Sequence, residues 1–130
     1  MNRVFEDKLK EDIYLLDENT AVFKHDGVLV EEEFELMFQK VYNVTSHLDR
    51  FYYIIDLKNS KEVTAQQRRY LMRKLKTISS KFIHVSIVSG QSTLRNLLAK
   101  FVFGGIGFKS VKFHKTFEEA KKDVFQQKNK

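Results

Sequence analysis

The stretch Phe51-Tyr52-Tyr53-Ile54-Ile55-Asp56-Leu57 decides the fold. It is short, apolar and aromatic, and its polar and apolar positions do not alternate. That composition suits a strand buried on both faces, as at the centre of a parallel sheet. Downstream, Phe82-Ile83-His84-Val85-Ser86-Ile87-Val88 is a second such run, closed by Ser89-Gly90. Val111-Lys112-Phe113-His114-Lys115 alternates apolar with polar residues, the pattern of a more exposed edge strand with His114 turned to solvent. Upstream, Ile13-Tyr14-Leu15-Leu16 and Ala21-Val22-Phe23-Lys24-His25 flank Asp17-Glu18-Asn19-Thr20. Turn-forming Asp and Asn between two β-prone runs predict an antiparallel hairpin.

Between these strands the hydrophobic period changes to 3.6. In 31–48, Phe34, Met37, Phe38, Val41 and Val44 or Thr45 make one stripe, and Glu31-Glu32-Glu33 sits in the first turn, where acidic side chains complement the helix dipole. In 64–79, Thr64 with Gln67 has the spacing of a capping box. Gln67, Leu71, Leu75 and Ile78 face inward, and Arg69, Arg73 and Lys76 share the opposite face. In 92–103, Leu94, Leu97, Leu98, Phe101 and Val102 face the core, with Gly104-Gly105 as the stop. The last helix, 117–127, presents Phe117, Ala120, Val124 and Phe125. The order is ββαβαβαβα. It predicts an α/β fold: one mixed, mostly parallel sheet with an N-terminal antiparallel hairpin and about four helices, a single domain over 1–130 with its core at about 10–127.

Composition narrows the chemistry. A chain of 130 residues buries roughly two-thirds of its unfolded surface in one core, so no covalent staple is needed. With no Cys there are no disulfides, cysteine-held metals or thiol catalysis; with no Pro, five Gly and twelve Phe, linkers and low-complexity tails are not expected. No apolar run approaches 18 residues and no leader pattern opens the chain, so a soluble cytoplasmic protein is expected. The net charge of +6 is uneven: residues 1–65 carry eight Lys/Arg against fourteen Asp/Glu, residues 66–130 fifteen against three. Such asymmetry marks an anion-facing surface unless the two halves intermingle in space, which is the simpler expectation.

The element order, the strand ending Ile54-Ile55-Asp56-Leu57, the run Ile87-Val88-Ser89-Gly90 followed by Leu94, and Val111-Lys112-Phe113 leading to Phe117-Glu118-Glu119-Ala120 together resemble the STAS domain. That is the module of anti-sigma-factor antagonists and of sulphate-transporter tails. The resemblance covers about residues 10–127 and implies a regulatory protein- or small-ligand-binding module with no reaction and no cofactor of its own. Its partner would be another protein, with a homodimer also compatible. In the antagonists a Ser opening the helix after the central strand is phosphorylated. Here that loop reads Asp56-Leu57-Lys58-Asn59-Ser60-Lys61-Glu62-Val63-Thr64-Ala65, without the family's Asp-Ser-Ser-Gly. Thr64 and Ser60 are the nearby hydroxyls, Thr64 serving equally as a plain cap.

The four histidines, at 25, 47, 84 and 114, show no metal-ligand spacing, and His84 reads as a hydrogen-bonded core residue. No metal or catalytic set is expected. A phospho-receiver scheme can be laid over Asp17-Glu18, Asp56, Ser89 and Lys115, although its first crossover helix is missing. A small anionic or apolar ligand would fit the strand-to-helix turn Ser89-Gly90-Gln91-Ser92-Thr93 with Arg95, where free backbone N–H groups face outward. The ridge Arg69, Arg73, Lys76 reads first as a solvated helix face, next as a surface for an acidic protein partner or a membrane, and last as one for nucleic acid, for which Tyr70 is the sole neighbouring aromatic.

Overall fold

The computed structural model describes residues 12–24, 31–58, 65–88 and 110–130. They form an α/β fold with five strands, β1 (Ile13–Asp17), β2 (Thr20–Lys24), β3 (Phe51–Asp56), β4 (Phe82–Val88) and β5 (Val111–His114). Three helices accompany them: α1 (Glu31–Thr45), α2 (Ala65–Ile78), which runs into a 3-10 turn at Ser79–Lys81, and α3 (Phe117–Lys128). The expected helix at 92–103 lies outside the described residues.

One sheet holds all five strands in the order β1-β2-β3-β4-β5. The hairpin is antiparallel, with Ile13 opposite Phe23 and Asp17 opposite Thr20. Asp17 itself shapes the turn, its Oδ1 accepting the Asn19 N–H at 3.1 Å. The other three pairings are parallel, as the non-alternating composition of β3 and β4 predicts. Each step from β2 to β5 moves the same way across the sheet. Successive crossovers of one hand and one direction put their helices on one face, and α1 and α2 do share a face.

Alternation along the strands sorts the side chains into two layers. Ile13, Ala21, Phe23, Phe51, Tyr53, Ile55, Val85 and Ile87 point toward α1 and α2, where they meet Met37, Phe38, Val41, Tyr70, Leu75 and Ile78. Phe38 contacts the rings of Phe23 and Tyr70, each with centroids 6.1 Å apart. The opposite face is thinner: Val22, Ile54 and Val88 meet Ala120 and Val124 of α3, with Phe117 at the margin. Two expectations are corrected in these layers. Phe125 does not face inward; it is 48% exposed, because the α3 stripe set by Ala120 and Val124 leaves it on the solvent side. Tyr70 is not an exposed companion of the basic ridge but is buried against Phe38, its hydroxyl donating to Glu35 of α1.

Candidate functional site

The α3-facing side of β4 and β5 is polar where the rest of that layer is apolar. Period-2 geometry presents His84, Ser86 and Val88 on β4, and Lys112 and His114 on β5, to the same side, and register sets Ser86 beside Lys112 and Val88 beside His114. Ser110 precedes β5 on the same face. One turn and a half into α3, Asp123 points down into this patch and is only 4% exposed.

Asp123 Oδ2 is the hub. It lies 2.7 Å from His84 Nε2, 2.7 Å from Ser86 Oγ and 3.0 Å from His114 Nε2. Its Oδ1 accepts from Gln127 Nε2 at 3.4 Å, with Lys112 Nζ 3.9 Å away. Burial alone would raise the carboxyl's pKa, but the hydrogen bonds from Ser86, His84 and His114 outweigh it and hold the group well below the ordinary carboxylate range. An ionised carboxylate only accepts hydrogen bonds, so both imidazoles present Nε2–H to it. His84 Nδ1 is left facing Ser110 Oγ at 2.6 Å. A hydroxyl donates to a neutral ring or accepts from a protonated one, so that contact survives either state of His84.

The cap of α3 fixes the hub in place. Thr116 is the N-cap, its side chain accepting the Glu119 N–H at 3.1 Å, and Glu119 reaches back to the Lys115 N–H at 3.2 Å. At the far end Lys128 Nζ bonds Asp17 Oδ2 at 2.7 Å, tying α3 to β1. Burial opposes ionisation of Asp17, but the Lys128 and Asn19 hydrogen bonds prevail and lower its pKa.

Chemically, Ser110, His84 and Asp123 connect a hydroxyl, an imidazole and a carboxylate in series, the linkage of a nucleophile with its base. Three features qualify that likeness. The His84 side chain is 3% exposed, Asp123 divides its charge among several donors, and its bonds to His84 and Ser86 are buried while those to His114 and Gln127 are partly so. Among the described residues no group of three or more His, Asp or Glu has the arrangement to hold a metal ion. The two imidazoles converge on one oxygen rather than on a shared vacant point.

The sequence-derived sites fare unequally. Arg69, Arg73 and Lys76 are exposed on α2, as their spacing requires. Ser89, Gly90, Gln91, Ser92, Thr93 and Arg95 lie outside the described residues, as do Ser60 and Thr64. The receiver scheme loses its geometry. Asp17 pairs with Thr20 at the start of β2, whereas Asp56 pairs with Lys24 at its end. Four residues of strand, about 13 Å, separate the two acids, because β1 runs antiparallel. His84 is the bonded core residue its setting in β4 predicts. His114, in contrast, does not project to solvent: its side chain is 16% exposed and turned under α3.

The His84–Asp123–His114 convergence has no signature in sequence spacing, since its members are brought together across 39 residues. A trace was present: polar residues at 84 and 86, on one side of an otherwise apolar strand, need a polar partner opposite. Comparison with protein-family models, with curated proteins and with solved structures finds no match to this chain. Among the described residues no helix is long and apolar enough to cross a membrane.

Proposed function

We propose that the chain is a non-catalytic, STAS-like regulatory module that works by binding another protein. The observation that carries this reading is the inward closure of its densest polar cluster. His84, Ser86 and Asp123 are buried and bonded to one another, so the groups best suited to chemistry hold α3 on the sheet. On α2, by contrast, the cations Arg69, Arg73 and Lys76 are exposed. The ordered ββαβ start and the β5–α3 ending support the resemblance to the STAS module, in which loops and helix faces around a rigid sheet meet the partner.

Two measurements test the proposal together. Immobilised chain, incubated with extract of the cells that produce it, is expected to retain a specific protein in a stoichiometric complex. Incubated with p-nitrophenyl acetate or a fluorophosphonate probe, it is expected to show no turnover or labelling that Ser110→Ala removes. Ser110-dependent turnover would make the Ser110–His84–Asp123 series a catalytic relay and overturn the reading.

A further inference from the structure

Between Glu62 and Glu118 the chain contains no Asp or Glu, yet it carries eleven Lys and Arg. In a sheet whose strands were shuffled relative to the sequence, such a run would be dispersed over the surface. Here strand order follows sequence order, so β4 and β5, the strands flanking the later part of this run, are neighbours. β4 and β5 form one side of the sheet, and β1 and β2 the other. Among the described residues the run supplies a basic sector of α2, β4 and β5, which meets the acidic half at Lys74–Glu35, while Lys128 of the second half pairs with Asp17 of the first.

The basic sector has a ridge. Arg69, Arg73 and Lys76 stand exposed on α2, with buried Ile78 on the opposite side and buried Tyr70 and Leu75 on its flanks. Their neighbour Lys74 is neutralised across the helix pair by Glu35 at 3.2 Å, but none of the three ridge cations makes an ion pair with a described residue. The Arg73 guanidinium lies 5.5 Å from the Tyr70 ring centroid, which restricts its rotamers. Lys112, 56% exposed, lies on the other face of the sheet, 3.9 Å from the Asp123 carboxylate, and so stands apart from the ridge. The acids that follow on α3 do not offset the ridge: Glu119 is engaged in the helix cap and Glu118 pairs with Lys121.

We propose that this α2 ridge is the docking surface for an acidic segment of a partner protein, one presenting carboxylates along a helix. The inference rests on the interaction-module reading and supplies the partner's chemistry. Steps of four and three residues advance about 6 and 4.5 Å along the axis. Carboxylates at i, i+4 and i+7 of a facing helix advance by the same steps. Single-stranded nucleic acid needs aromatic platforms beside the charge. The ridge offers none: Tyr70 is buried, and the large hydrophobic exposed among the described residues, Phe125, lies on α3.

The test uses a fluorescent helical peptide of about 20 residues with Glu at i, i+4 and i+7, and a single-stranded DNA of similar length. Both are titrated against the wild type, against R69E/R73E/K76E, and against K58E/K122E/K130E, which makes the same charge change at exposed positions elsewhere. Circular dichroism verifies folding, and R69A/R73A/K76A replaces the ridge reversal if that variant unfolds. Peptide affinity is expected to fall roughly tenfold or more in the ridge variant, far less in the control, and steadily with added salt. Equal loss in both triple variants, absence of peptide binding, or tighter binding of DNA than of peptide would overturn the assignment. The extract experiment separates the two levels. A partner still retained by the ridge variant removes this surface and leaves the module reading intact, whereas no partner for the wild type removes the reading itself.

Discussion

Asp123 shows how one residue governs a layer. A buried charge is tolerated where its donors are all in place and becomes costly when one is removed. Replacing it with Asn leaves two imidazoles and a hydroxyl facing an amide that cannot accept from all of them. Asp123→Asn is expected to cost about 2–4 kcal/mol at pH 7 in urea unfolding. The pH dependence follows in sign. The native pKa lies below the unfolded value of about 3.9, so the carboxylate's contribution is complete above that value and drains away as pH falls through it. The wild type should therefore lose stability below about pH 4 more steeply than the Asn variant. Parallel acid limbs for the two proteins would show that the cluster does not hold the charge in the way described.

At the scale of elements, α3 depends on its first turn. Thr116 supplies a side-chain acceptor to the Glu119 N–H, and nothing apolar at that position replaces it. Thr116→Ala should destabilise the protein by about 1 kcal/mol, read as a lowered melting temperature with unchanged sheet content by circular dichroism. The strands were legible in the sequence: residues 82–88 are delimited by their apolar run and match β4 end for end. The helices were legible from stripes such as Met37, Phe38 and Val41, all of which are buried. What periodicity failed to rank was the last face of a short helix, where Val124 and Phe125 are adjacent and one must point outward. It also failed at His114. Alternation told that His114 and Val111 lie on different faces, but a polar face covered by a helix looks in sequence like one covered by water. The candidate site was less legible than the fold for that reason, and because hydrogen bonds between distant elements leave no spacing to read.

At the scale of the molecule, two layers of unequal thickness flank the sheet. The face toward α1 and α2 holds most of the apolar core, including the Phe51, Tyr53 and Phe82 rings, whose centroids lie 5.2–5.8 Å apart. The face toward α3 has few apolar contacts, and the clasp around Asp123 supplements them. A chain ending at residue 109 lacks β5 and α3 and bares Val22, Ile54 and Val88. Such a truncation is expected to bind the dye ANS and to melt without a cooperative transition; a sharp, dye-silent transition would mean that the first face alone suffices.

The unshuffled strand order carries a consequence for how the protein is made. Each β-ribbon joins a neighbour already delivered by the ribosome, so the sheet can lengthen edge by edge during synthesis, each closure spanning only the crossover between consecutive strands. The carboxylate that satisfies His84 arrives 39 residues later, however, and until then that imidazole waits in a half-built interior. Closure of the second face thus waits on α3, the element that carries Asp123.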